Sequence, residues 1–179
     1  MGGLVKHYST RLVGQFDSLV SSAKLVYTMI FSRSAEYAIR GLVSMTQAAP
    51  GEATLAKQIA ADAGVPADFL AKILQDLVRH GLLKSNKGPR GGFRMIGPAQ
   101  ELALLRVVEA VDGPGRYQRC IAGSDECHDR VACPMHDSWV PVRQHIVEYL
   151  QGTTIADLAR SLGEKRRLLA RARRGSPAK

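Results

Sequence analysis

The chain has 179 residues, with 25 lysines and arginines against 16 aspartates and glutamates, a formal net charge of +9 and three cysteines. This length suits one domain, or one small domain with an appendage, and 45% hydrophobic residues are too many for a disordered chain. No apolar run approaches the roughly 18–20 residues that cross a bilayer, and three cysteines are too few and too odd in number for a disulfide-stapled scaffold.

Residues 1–28 carry a weak helical stripe at Leu12, Val13, Phe16, Leu19, Val20 and Ala23. They lack the apolar core and cleavage site of a signal peptide and are read as an N-terminal extension before a domain that opens near Met29. From Ser32, a plausible N-cap, the positions Ala35, Ala38, Ile39, Leu42, Val43 and Met45 follow helical spacing to about Ala48. Pro50-Gly51 ends that helix. A second helix starts after Thr54, with Leu55, Ile59 and Ala63 on one face, and stops at Gly64. After a short turn, Pro66 opens a third helix expected to bury Phe69, Leu70, Ile73, Leu74, Leu77 and Val78 and to stop at Gly81. Two short helices joined by a tight glycine turn form a helix-turn-helix.

Leu82–Ser85 and Phe93–Ile96 are strand-like runs that flank a Gly/Pro turn, which predicts a hairpin. Helix-turn-helix followed by hairpin is the order of a winged helix. The turn carries Lys87 and Arg90 on a glycine-rich backbone and lacks the Gly-Lys-Ser/Thr of a nucleotide-binding loop. Residues 99–112 are read as a helix with Leu102, Leu105, Val108 and Val111 at core spacing, broken by Gly113-Pro114-Gly115. A polar, irregular segment covers 116–136. A longer helix over Asp137–Leu150 places Trp139, Val142, Ile146, Val147 and Leu150 three to four apart, a candidate dimer seam. Thr154-x-x-Asp157 has the form of a capping box that opens a last short helix to about Leu162. Residues 163–179 are read as a disordered basic tail. The domains are thus 1–28, 29–98, 99–162 and 163–179, and the fold class is mainly α, a winged helix-turn-helix with a two-stranded wing and a long C-terminal dimerisation helix.

The charge is unevenly placed. Residues 164–179 carry seven basic side chains against Glu164, and residues 65–94 carry six against Asp68 and Asp76. Residues 101–157 carry nine acidic side chains against five basic ones. A polyanion partner therefore meets the helix-turn-helix and wing, while the following segment repels it.

All three cysteines lie in the irregular segment, as Cys120, Cys127 and Cys133, and His136 follows in the spacing C-x6-C-x5-C-x2-H. Thiolates are soft ligands and imidazole a borderline one. Zinc would take Cys3His tetrahedrally as a closed structural site, and an iron–sulfur cluster would take the cysteines with the histidine raising its potential. The spacing alone does not choose between them. No C-x-x-C or Ser-His-Asp pattern supports an enzyme.

Met29–Ser32 with Glu36–Arg40, then Phe69–Leu74, Gly81–Ser85, Gly88–Phe93 and Val107–Asp112, together resemble the Rrf-two family of winged-helix transcription regulators over roughly residues 29–162. Within it they are most similar to the iron–sulfur cluster regulator (IscR-type) branch. The resemblance implies a cytoplasmic, double-stranded-DNA-binding homodimer in which residues 137–151 cross between subunits. It implies a 2Fe–2S cluster on Cys120, Cys127, Cys133 and His136, although the first spacing is six residues where the branch usually has five. Other sensors of the family draw a carboxylate from the first helix. On that pattern Glu36 of the partner subunit replaces His136, and the cluster is 4Fe–4S and responds to nitric oxide. His128 is a weaker candidate. The base-reading positions of the family fall on Asp68, Ala71 and Lys72, with Lys87 and Arg90 on the wing. Ala71 stands where the best-known members have a carboxylate, so a different operator is expected.

Overall fold

The computed structural model describes residues 30–49, 51–88, 91–118, 120, 127, 130 and 133–175. The helical stripe expected in the first 28 residues lies outside them, as do Pro50, Arg90 and His128.

Helix α1 spans Arg33–Met45 and opens where Ser32 was expected to cap it, the Ser32 hydroxyl accepting the Ala35 N–H at 3.1 Å. Helix α2, Ala56–Ala63, ends at Gly64 with φ +63°, a left-handed turn that favours glycine. Its last carbonyls are covered from α1, since the Arg40 guanidinium donates to Ala63 O at 2.6 Å and Gly64 O at 3.1 Å. Helix α3 follows at Ala67–Arg79, with Pro66 as the residue before its first turn. Helices α1 and α3 approach closely at Gly41, where a Cβ would stand 3.1 Å from Leu70 Cδ1. Leu42, Leu70, Leu74 and Leu77 are fully buried between these helices, each stabilising the fold by about 1.5–3 kcal/mol.

The wing is the antiparallel pair β1, Leu83–Asn86, and β2, Gly92–Met95, in the register Leu83↔Met95 through Asn86↔Gly92. It is tied to the entrance of α2 by a bridge in which Thr54 and Phe93 exchange N–H···O bonds, both 2.9 Å. That bridge explains Gly92: with φ +139°, a Cβ there would lie 2.5 Å from Thr54 O. The strand-like runs thus pair as expected.

Helix α4 occupies only Leu104–Asp112, five residues shorter at its start than the expected 99–112. The backbone at 102–104 is used otherwise. Leu104 N–H donates to Thr153 O and Ile155 N–H to Leu102 O, both at 2.9 Å, so this stretch pairs with 153–155 instead of coiling. The buried face moves with the start, to Leu104, Val107, Val108 and Ala110, while Leu102, Leu105 and Val111 are only partly buried. After a 3-10 turn at Arg116–Gln118 the chain enters α5, His136–Gly152, and then α6, Ile155–Gly175. The Thr154–Asp157 capping box is present: Thr154 N–H donates to the Asp157 carboxylate at 3.0 Å and Asp157 N–H to the Thr154 hydroxyl at 3.2 Å. Hydrogen bonds from the Thr154 hydroxyl and N–H hold the Asp157 carboxyl below its ordinary range.

Helix α6 does not stop at Leu162. Residues 163–175, expected to be a disordered tail, continue it, because Glu164–Arg173 is composed almost wholly of strong helix formers and Gly163 alone costs too little to break it. Of α5, only Leu150 is fully buried. Val142 and Tyr149 are 49% and 56% exposed, leaving an apolar flank open along that helix.

Candidate functional site

The expected DNA-reading face lies on α3 and the wing. Asp68 and Lys72 are exposed in the first half of α3, Ala71 is half-buried, and Lys87 is exposed beyond β1. Arg90 belongs to the two wing residues outside the described set. Phe69 departs from expectation. The helical period predicts it among the buried residues of the helix, and it is 62% exposed. Leu55, expected on the buried face of α2, is the N-cap residue of that helix and is 56% exposed. In both cases the buried stripe stops short of the apolar run by one position. The core face of α3 is already filled by Leu70, Ile73, Leu74 and Leu77. Val78 is half-buried. The register of the wing adds a feature that no local pattern signals: Lys84 stands directly opposite Arg94. Like charges across a strand pair disfavour the hairpin by themselves, and a phosphate over them relieves the repulsion.

The cysteines lie between Gly113–Gly115 and the start of α5. Cys120, Cys127 and Cys133 are half-buried and form no disulfide. Cys127 Sγ and His136 Nδ1 lie 3.4 Å apart, a thiol–imidazole hydrogen bond. His136 is the first residue of α5, so that helix fixes its backbone. Among the described residues, no three His, Cys, Asp or Glu side chains gather as a metal-binding group. The structure brings together two of the four expected ligands, Cys127 and His136. Glu36 is engaged within its own chain, pairing with Arg40 at 3.4 Å. Trp139, one turn beyond His136, buries its indole N–H without an acceptor among the described residues. A cleft of about 370 Å³ beside Cys127 is lined by Tyr117, Glu109 and Arg143.

A second constellation ties this loop to the first helix. Asp112, whose side chain is 4% exposed, accepts from Ser32 N–H at 2.8 Å and from the Ser32 hydroxyl, and lies 3.4 Å from the Arg116 guanidinium. The Tyr117 hydroxyl donates to Ile30 O, and Arg116 Nε–H donates to the same oxygen at 3.4 Å. Burial pushes the Tyr117 phenol up to about 12, with Arg116 opposing and the Asp112 and Glu109 carboxylates adding to the rise. Ser32 is at once the N-cap of α1 and a ligand of α4. The only sequence signal for this was a matched segment at each end, and nothing local paired them.

The architecture is shared with known proteins. A model of the Rrf2 family, described as iron-dependent transcriptional regulators, matches residues 31–161. The chain belongs to the Rrf2 family. A Mycobacterium tuberculosis relative named as an HTH-type transcriptional regulator is 33% identical over 131 residues, covering 73% of this chain and 81% of the relative. An Aquifex aeolicus protein of like name is 31% identical over 134 residues, covering 73% and 91%. Among solved structures, CymR, the global cysteine regulator of B. subtilis, superposes with a TM-score of 0.62 at 21% identity, covering 73% of this chain and 95% of that one. T. potens IscR superposes at 0.60 and 19% identity, covering 75% and 88%. At such identity these two speak for the fold alone. As an Rrf2 transcriptional regulator, the protein binds DNA through its winged helix and is not an enzyme.

Proposed function

We propose that this Rrf2 protein is a homodimeric, IscR-type regulator that reads iron–sulfur, redox or nitric oxide status through a cluster held by Cys120, Cys127, Cys133 and His136. The observation that carries the reading is the 3.4 Å approach of Cys127 to His136 at the start of α5, in a chain whose other two cysteines share the same loop. Three thiolates and an imidazole fit a 2Fe–2S cluster, and the unmatched indole N–H of Trp139 fits a group that brings acceptors of its own. Such a cluster supplies a centre whose charge changes with oxidation state.

The chain's own residues carry the consequence. The loop is held to the start of α1 by Tyr117 and Arg116, and α4 by Asp112. Helix α1 packs against both α2 and α3. A rearrangement of the loop therefore bears on the helix that seats the helix-turn-helix. In a dimer formed through the open apolar flank of α5, it also bears on the spacing of two α3 helices. Lys72, Lys84, Lys87 and Arg94 hold phosphates, and Asp68 and Lys72 present polar groups to base edges.

Anaerobic purification with iron and sulfide analysis, a visible spectrum and operator binding by loaded and metal-free protein tests this. Iron, sulfide, visible absorbance and unequal affinities are expected. Zinc without colour would establish a structurally stabilised regulator, and equal affinities on every operator would end the sensing role. His136→Ala and Glu36→Ala, read by the same spectrum, identify the fourth ligand, with loss of the expected signal in the His136 variant and its retention in the Glu36 variant.

A further inference from the structure

We propose that Phe69 reads a thymine methyl group in the operator and is a specificity-determining residue of the DNA interface. This rests on the winged helix using α3 as its recognition helix, as argued above. Helix α3 hides its other large apolar side chains: Leu70, Leu74 and Leu77 are fully buried and Ile73 is 4% exposed, whereas Phe69 is 62% exposed. A lone exposed apolar side chain is ordinary on a protein surface; what singles Phe69 out is its place near the start of the helix that a winged helix turns toward DNA.

The position says which partner. At about 100° per residue, Lys72 projects between Asp68 and Phe69 around the helix, so ring and cation share one front. That front lies in the segment, residues 65–94, that carries six basic side chains against two acidic ones. It is continuous with the DNA interface, and its charge complements phosphate. A phenyl ring offers no hydrogen bond to phosphate or to a base edge. In a stacked duplex the base faces are covered, and the apolar feature exposed in the major groove is the C5-methyl of thymine. Lys72 would then hold the rim of the groove while the ring settles on the methyl. Ala71, half-buried beside them, is too short to compete.

The operator is first selected from random duplexes with the full wild-type chain. Each thymine is then replaced by deoxyuridine, which removes one methyl and nothing else. Wild-type protein is expected to lose about fourfold in affinity at one thymine per half-site, the worth of one buried methyl. Phe69→Ala is expected to be indifferent at that thymine and to keep the wild-type response elsewhere, and Phe69→Leu to recover part of the sensitivity. Phe69→Gln, of similar length and polar, serves the same comparison should the alanine variant fail to fold. A folded alanine or glutamine variant with the wild-type deoxyuridine profile overturns the proposal. So does one that weakens all duplexes alike, which would make the ring a general contact. A wild-type chain that selects no sequence at all overturns the recognition-helix reading itself, a result distinct from the other two.

Discussion

The winged helix, residues 33–95, and the segment from the cysteine loop to the end of α5 are built on opposite principles. The first encloses a core within one chain, where Leu42, Leu70 and Leu74 have no exposure at all, and leaves Leu55 and Phe69 open at its surface. The second leaves Val142 and Tyr149 about half exposed, keeps three cysteines half-buried, and brings Cys127 against His136. The first has a closed core, and on the function proposed above a second subunit and a bound group would complete the second. Beside the apolar packing of Leu150 and Ile146, the seam between them carries a polar set made by Ser32, Asp112, Arg116 and Tyr117. A polar set suits coupling, because its bonds have direction and its loss is felt on both sides.

The hardest blow to the contrast falls on the closed core. Leu74→Ala should cost about 2–5 kcal/mol, read as a lowered denaturant midpoint, with the whole winged helix lost together. A smaller cost would mean that this core is less complete than its burial indicates. Asp112→Ala strikes the seam. It strands the Ser32 N–H and removes the carboxylate beside Arg116, and should cost about 1–3 kcal/mol, and a double cycle with Ser32→Ala should show strong coupling. Additive effects would leave the two halves energetically separate.

In the second region, replacing Cys120, Cys127 and Cys133 together by alanine should abolish visible absorbance while changing the stability of the metal-free protein by no more than about 1 kcal/mol. Large destabilisation would give the thiols a packing role instead. Alkaline pH offers a finer probe. The Tyr117 phenol is raised to about 12 in the folded protein against an ordinary value of 10. Its contribution is then complete below pH 10 and falls away as pH rises toward 12. Tyr117→Phe should flatten that part of the stability profile, measured by denaturant midpoints across the range; an unchanged slope would place its source elsewhere. The smallest effect is expected from truncation after Leu162. The exposed basic end of α6, which carries Lys165, Arg166, Arg167, Arg171 and Arg173, adds nonspecific attraction. Its loss should reduce the salt dependence of DNA binding by about 0.9 per phosphate contact, with operator preference intact.

Much of the winged helix was legible in the residues because its signals act within a few positions. Ser32 caps the turn that follows it, Gly64 supplies a left-handed residue where a helix ends, and Thr154 and Asp157 satisfy each other three residues apart. The cysteines and histidine were equally plain as a set of donors. What they do in space was not, since ligand geometry depends on where a loop is carried.

Sequence by itself thus determined the order of helices and wing, the residues that cap and break them, the uneven charge and the Rrf2 resemblance. The order, the caps and the charge follow from local backbone preference, side-chain period and composition, and the resemblance from the matched motifs. Only tertiary structure decided that Phe69 faces outward, that 102–104 pairs with 153–155 in place of coiling, and that Asp112 meets Ser32 eighty positions away. Each of these turns on competition for a partner distant in the chain: a core already filled, a backbone N–H already claimed, a carboxylate that needs donors once buried. Periodicity carries no record of such competition, and only packing resolves it.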